Sequence, residues 1–218
     1  MDKFFPADRI IKTGNPIRKE SVSIAGKRLE ALETFKLSPE KKTILITGGS
    51  LGARTLNQSI MAGLEQILAA DVQVIWQTGK FYYKSILEQL GKNINPNIKV
   101  LEFLNRMDLA YAAADVIISR AGAGTIAELC VVKKPVILVP SPNVAEDHQT
   151  KNSMALVNEK AALFVADADA VATLVVQALG LLKDTDKQQE LSQGIGKLAL
   201  PDADQVIARQ VLQLAKSN

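Results

Sequence analysis

The chain has 218 residues, 47% of them hydrophobic and 22% charged, with a formal net charge of +3. That apolar share at this length suffices for a full core, which sets disorder aside, and the interspersed charges form no basic stripe for nucleic acid. A single cysteine excludes a disulfide framework, and no leader-like N-terminus or run of about 18 apolar residues is seen, so a cytoplasmic chain without a membrane span is expected.

Residues 1–41 form no βα unit of their own and read as a linker and lead-in segment. From residue 42 to about 200, short β-rich runs alternate with helical patterns. Thr43 to Thr47 is a predicted strand, followed by a helix from about Ala53 to Ala69. Val72 to Gln77 and a helix over Lys80 to Gly91 come next, then Ile98 to Phe103 and a short helix from Asn105 to Ala113. Asp115 to Ser119 leads through a glycine turn into a helix ending near Lys133, and Pro135 to Val139 precedes a helix over Asp147 to Glu159. Ala162 to Val165 is a weak sixth strand, after which every segment is helical, including Asp184 to Leu198 and Asp202 to Lys216. Strands that are continuous apolar runs mean a parallel sheet covered on both faces. The expected fold class is α/β, a doubly wound Rossmann-like sheet.

Three loops carry candidate chemistry. Ser119-Arg120-Ala121-Gly122-Ala123-Gly124-Thr125-Ile126-Ala127-Glu128 follows the fourth strand and opens onto a helix. Its glycines admit an anion to the backbone, and the first free N–H groups of the helix meet it with the positive end of the dipole. Glu128 sits one turn inside, where a carboxylate can accept hydrogen bonds from a ribose. Gly48-Gly49-Ser50-Leu51-Gly52-Ala53-Arg54 follows the first strand, at the sheet edge where open α/β sheets bind ligands. It lacks the lysine and spacing of a Walker A loop. Either Ser50 and the neighbouring amides meet a phosphate, or the glycines serve a tight turn alone. Asn143 to Asn152 is dense in polar side chains able to read sugar hydroxyls, against the plainer reading of a solvated loop with Asp147 as helix N-cap.

Gly122 to Ala127 also fits G-x-G-x-x-A, with Glu146 or Asp147 at about the 20-residue distance of the dinucleotide fingerprint, so an NAD-binding oxidoreductase domain is an alternative. That fingerprint belongs to the first βα turn of its fold, whereas two glycine loops at one edge suit a nucleotide sugar whose diphosphate is held from two sides. A catalytically silent nucleotide-sugar-binding module is a third reading. His148, the only histidine, has no partners for a metal site or a triad. Cys130 reads as a buried small apolar residue. Asp167-Ala168-Asp169 and Asp202-Ala203-Asp204 read as helix-start caps rather than metal-holding pairs.

Together with Thr13-Gly14-Asn15-Pro16-Ile17-Arg18, the loops Gly48 to Arg54, Ser119 to Glu128 and Glu146 to Asn152 resemble, in order and spacing, the C-terminal half of the MurG family of peptidoglycan N-acetylglucosaminyltransferases. The resemblance implies one half of a two-Rossmann-domain (GT-B) hexosyltransferase. The reaction it implies moves N-acetylglucosamine from UDP-N-acetylglucosamine to the C4 hydroxyl of lipid I, with inversion, giving lipid II for the cell wall. It further implies that Glu128 holds the ribose hydroxyls and that Ala123, Gly124 and Thr125 bring donors to the diphosphate. Ser50 and Arg18 would flank the diphosphate and sugar, the Leu104 backbone would read uracil with Met107 lining that pocket, and His148 and Gln149 would contact the diphosphate and sugar hydroxyls. No metal or other cofactor is implied.

The family's N-terminal domain binds lipid I, contacts the cytoplasmic face of the inner membrane and carries the general base; no counterpart is read in these residues. No catalytic residue is therefore assigned, and the chain alone is expected to bind donor and turn over nothing. Residues 201–218 match the helix that returns to that domain, which would leave Val206, Val211 and Leu214 short of burial.

Overall fold

The computed structural model of the chain describes residues 5–216; residues 1–4 and 217–218, the outer ends of the lead-in and terminal segments, lie outside the described residues. In chain order the elements are α1 (Lys19–Val22), α2 (Arg28–Thr34), β1 (Thr43–Thr47), α3 (Arg54–Ala62), α4 (Leu64–Ala69), β2 (Gln73–Gln77), α5 (Tyr83–Leu90), β3 (Ile98–Leu101) and α6 (Met107–Ala113). There follow β4 (Val116–Ser119), α7 (Ala123–Val132), β5 (Val136–Leu138), α8 (His148–Asn158), β6 (Leu163–Phe164), α9 (Ala170–Lys183), α10 (Thr185–Lys197) and α11 (Ala203–Lys216).

The strands form one parallel sheet in the order β3-β2-β1-β4-β5-β6. Successive residues of the central strands β1, β2, β4 and β5 serve opposite cores. Ile44, Ile46, Val74, Trp76, Val116 and Ile118 pack into the cluster shared with Leu56 and Ile60 of α3 and Leu174 and Ala178 of α9. Leu45, Ile75, Ile117 and Leu138 join α6, α7 and the lead-in on the other face. Because neither face meets water, both parities of the pleat are apolar, which is why the strands read as unbroken hydrophobic runs. The buried Trp76 indole N–H donates to Asn57 Oδ1 (2.9 Å), and Asn57 Nδ2 donates to the Thr78 carbonyl (2.9 Å), so this polar pair inside the core is satisfied.

Three features differ from the sequence reading or extend it. The helix expected over Ala53 to Ala69 breaks into α3 and α4 at Gly63, where a Cβ would stand 2.5 Å from Val175: α9 packs too closely there for any side chain. Within the segment read as a linker, Ala31, Leu32 and Leu37 are buried in the core, α2 lies on α6, and Arg28 donates to the Ala113 carbonyl (2.9 Å) and pairs with Asp115 (3.3 Å). The packed unit thus begins well before residue 42. At the far end Ala203 is buried while Val211, Leu212 and Leu214 are exposed and Val206 is half-buried; Asp202 and Asp204 pair with Lys19 at 3.3 and 3.7 Å. Among the described residues no helix is long and apolar enough to cross a membrane.

Candidate functional site

The strand order reverses between β1 and β4, and the crevice outside the carboxyl ends of the strands at such a reversal is where open α/β sheets hold ligands. The loops after β1 and β4, the two glycine loops of the sequence, stand side by side there. Between them lies a cavity of about 750 Å³. Ser50, Leu104, Met107, Thr125, Glu128 and Gln149 line it; Arg18, Ala123, Gly124 and His148 do not.

One wall is the N-terminus of α7. Gly122 is its N-cap and has no side chain to cap it, and the first cap-region amide paired back is that of Ile126, to the Gly122 carbonyl (2.9 Å). The amides of Ala123, Gly124 and Thr125 precede it and so have no acceptor within the helix. A Cβ on Gly124 would meet nothing within 4 Å, and one on Gly122 only Thr125 Oγ1 at 3.7 Å, so the space above this turn is open. Of this turn Gly122 and Thr125 line the cavity, while Ala123 lines a separate hollow with Ile126 and Cys130. Polar side chains of the 143–152 segment hold the turn. Gln149 Oε1 accepts from the amides of Ala121 (3.1 Å) and Ser141 (2.9 Å), and Asn152 Nδ2 donates to the Ala121 carbonyl (3.1 Å).

Glu128, half-buried one turn into α7, accepts at Oε2 from the hydroxyl of Tyr111 (2.9 Å) on α6. Burial, and then the charge of Glu128, push the Tyr111 hydroxyl well above its ordinary pKa, so it stays a donor. Fixed at one oxygen, the carboxylate has Oε1 without a protein partner among the described residues. Nothing in the alanine-rich run around Tyr111 marks it as part of the site.

The facing wall is the N-terminus of α3, and its glycines have another use. Gly52 and Gly79 lie at positive φ (85° and 84°) where the loops after β1 and β2 cross, and a Cβ on Gly52 would fall 2.1 Å from the Thr78 carbonyl oxygen. The tight-turn reading of this loop therefore holds for Gly52. Gln77 Nε2 donates to the Gly49 carbonyl (2.8 Å) while its Oε1 accepts from Thr47 Oγ1 (2.8 Å), anchoring the loop to the sheet and leaving Ser50 exposed at the cavity mouth. Asp167 is a correction: its carboxylate caps no helix. It accepts from Thr55 Oγ1 (2.8 Å) and pairs with the Arg120 guanidinium, which also donates to the carbonyls of Val139 (3.0 Å) and Pro140 (3.1 Å).

A third side of the cavity is the loop after β3, where Leu104 is buried and Met107 opens α6. Asp108 fixes it, accepting from Arg106 Nη2 (2.9 Å) and Lys27 Nζ (2.7 Å), with Arg106 also reaching Glu30 (3.2 Å). The hydrogen bonds from Arg106, then those from Lys27, hold the Asp108 carboxyl far below the usual range despite its burial. His148 is exposed, its Nδ1 lying 2.8 Å from the Ala145 carbonyl oxygen, after Glu146 and Asp147 at left-handed φ of 54° and 51°. Asp147 stands at the N-cap of α8 without a capping bond, so the capping alternative for it fails. Arg18 is exposed at the head of α1, in the lead-in. Cys130 is buried and its thiol is pushed up to about 11 by desolvation, as a small core residue should be.

Relatives and family fit this geometry. Over its full length the chain is 54% identical to a Bacteroides fragilis protein named UDP-N-acetylglucosamine–N-acetylmuramyl-(pentapeptide) pyrophosphoryl-undecaprenol N-acetylglucosamine transferase, and 48% identical to a protein of that name from Flavobacterium psychrophilum. It spans 58% of the length of each of these relatives. The crystal structure of Acinetobacter baumannii MurG superposes with a TM-score of 0.69 at 28% identity, over 84% of this chain and 53% of that one. A UDP-GlcNAc 2-epimerase from Neisseria meningitidis, solved bound to UDP-GlcNAc, shares the fold at a TM-score of 0.66 and 14% identity, over 97% of this chain and 57% of that one. The model of the glycosyltransferase family 28 C-terminal domain matches residues 43–207, from β1 into α11, and the chain belongs to that family.

Proposed function

We propose that this chain is the donor-binding half of an N-acetylglucosaminyltransferase that converts lipid I to lipid II in peptidoglycan biosynthesis. The observation that carries the reading is the pair of uncapped helix N-termini, α3 and α7, bordering one cavity with the Tyr111-held Glu128 carboxylate inside it. Fixed backbone dipoles of this kind suit a diphosphate, and a carboxylate one turn along suits a ribose. The names of the relatives supply the substrates: UDP-N-acetylglucosamine as donor and an undecaprenyl-diphospho-N-acetylmuramoyl pentapeptide as acceptor.

In the proposed reaction the acceptor hydroxyl displaces UDP from the anomeric carbon. As the bond to UDP breaks, negative charge grows on the diphosphate, and the amides of residues 123–125 stabilise it without reorganising. Leu104 and Met107, which line the cavity, are the residues proposed to meet uracil, and Gln149, which also lines it, is proposed to meet the sugar. Lipid I, the general base and the contact with the cytoplasmic face of the inner membrane are assigned to an N-terminal half of the family's kind.

Calorimetric titration of the 218-residue chain with UDP, UDP-N-acetylglucosamine and NAD tests the donor reading. Binding of the two uridine nucleotides without NAD is expected, and Glu128→Ala should weaken UDP by about 1.5 to 3 kcal/mol. Binding of NAD alone would turn the reading toward a dinucleotide domain. Mixing with a separately expressed N-terminal half of a relative and assaying lipid II tests the transferase reading. The chain alone is expected to give no product.

A further inference from the structure

We infer that Asp167 is a positioning residue, a brace that sets the separation of the two helix N-termini across the cavity. The inference rests on the donor reading above. Neither helix end holds itself: the N-cap of α3 is Ala53 and that of α7 is Gly122, and neither makes a side-chain capping bond. Some other group must therefore fix where their free amides point. Asp167 opens the 3-10 turn between the edge strand β6 and α9, on a different element from either helix, yet it reaches both. Its Oδ2 accepts from Thr55 Oγ1 (2.8 Å), in the first turn of α3. Its Oδ1 takes the guanidinium of Arg120, two residues before the N-cap of α7. Arg120 in turn donates to the carbonyls of Val139 and Pro140, the two residues after β5, and the Val139 amide is bonded to the Ser119 carbonyl (2.9 Å) at the end of β4, so the brace ends against the sheet.

The electrostatics point the same way. Asp167 and Arg120 both line the cavity, and their side chains are only 20% and 15% exposed. A lone carboxylate there would repel a diphosphate, and a lone guanidinium would draw any anion. Paired, they are neutral, and the field of the cavity is left to the amides. Binding by fixed dipoles depends on the donors being at the right separation beforehand, because a shift of about 1 Å is costly. A brace therefore acts on the diphosphate and not on the base, which the loop after β3 would hold on its own.

That split gives the experiment. Thr55→Val removes the hydroxyl donor and little else, Thr55→Ser keeps it, and Asp167→Ala removes the brace; UDP and uridine are the probes, followed by calorimetry and ligand-observed NMR on the 218-residue chain. Thr55→Val is expected to weaken UDP about three- to tenfold and to change uridine by less than about twofold, with Thr55→Ser restoring wild-type affinity. In the Asp167→Ala background, Thr55→Val should have no further effect on UDP, since the partner is already gone. Thermal unfolding confirms that each variant is folded before it is titrated. Unchanged UDP affinity in Thr55→Val, equal losses for UDP and uridine, or additive effects in the double variant overturn the inference while leaving the donor reading intact. A wild-type chain that binds neither probe overturns both.

Discussion

The two helix ends that meet at the cavity use glycine for opposite reasons. At α7 the positions Gly122 and Gly124 stand beside empty space, whereas at α3 a side chain on Gly48 or Gly52 would collide with backbone 2.6 or 2.1 Å away. The first set leaves room for something that is not protein; in the second, Gly48 lets its own loop fold back on Ala53 and Gly52 lets two loops of the protein cross. A glycine-rich loop after a strand is thus not by itself a ligand signature. What separates the cases is whether the volume a Cβ would fill already belongs to the chain.

Substitutions can break that contrast, beginning with the largest effect. Gly52→Ala adds a methyl against the Thr78 carbonyl at a positive φ, and the strain plus overpacking should cost about 2 to 5 kcal/mol of stability, read as a loss of denaturant midpoint. A neutral result would mean that the crossing is looser than described and the contrast false.

Next comes the support of the loop after β3, at the head of α6. Asp108→Asn leaves Lys27 without its anion and Arg106 with Glu30 alone, and should cost about 1 to 3 kcal/mol at neutral pH. Because the folded carboxyl is held below its unfolded value, this advantage of the wild type is complete above about pH 5 and shrinks as pH falls below about 4. Urea melts at pH 7 and pH 3 on both proteins measure it, and a gap that stays constant between the two would count against the ion pairs.

Tyr111→Phe keeps the buried volume and removes the proton that aims Glu128, so UDP affinity should fall about tenfold while folding changes little. Equal UDP affinity in the variant would show that Glu128 is aimed by its helix alone. The last substitution is Gly124→Ala, where alanine suits a helix and nothing stands within 4 Å: stability should rise by up to about 1 kcal/mol. The same methyl intrudes on the open space above the turn, so UDP should bind less well. If Gly124→Ala instead destabilised the fold, the α7 glycines would be structural after all.

Much of this was legible along the chain. The strands of the parallel sheet and the two loops flanking the cavity follow from apolar runs and turn residues, which are local signals. Six of the ten residues carried over by resemblance line the cavity. Arg18 and His148 do not, since the first rides on the lead-in and the second is turned outward by left-handed residues before it. Tyr111, Arg120 and Asp167 escaped assignment because their partners lie 17 to 112 residues away, which no local spacing encodes. Asp167 shows the failure plainly, since an acidic residue just before a helix looks like a cap until its partners are known.

The sequence alone determined the six strands and the helices between them to within a few residues, apart from the break at Gly63, and that the sheet is parallel and covered on both faces. Periodicity and turn chemistry are properties of neighbouring residues, so they survive without coordinates. Only the tertiary structure decided that the lead-in belongs to the core, that Gly63 breaks a helix under α9, and that Tyr111 meets Glu128 and Asp167 joins Thr55 to Arg120. Those outcomes depend on which surfaces meet, and contact between residues far apart in the chain is settled by packing alone.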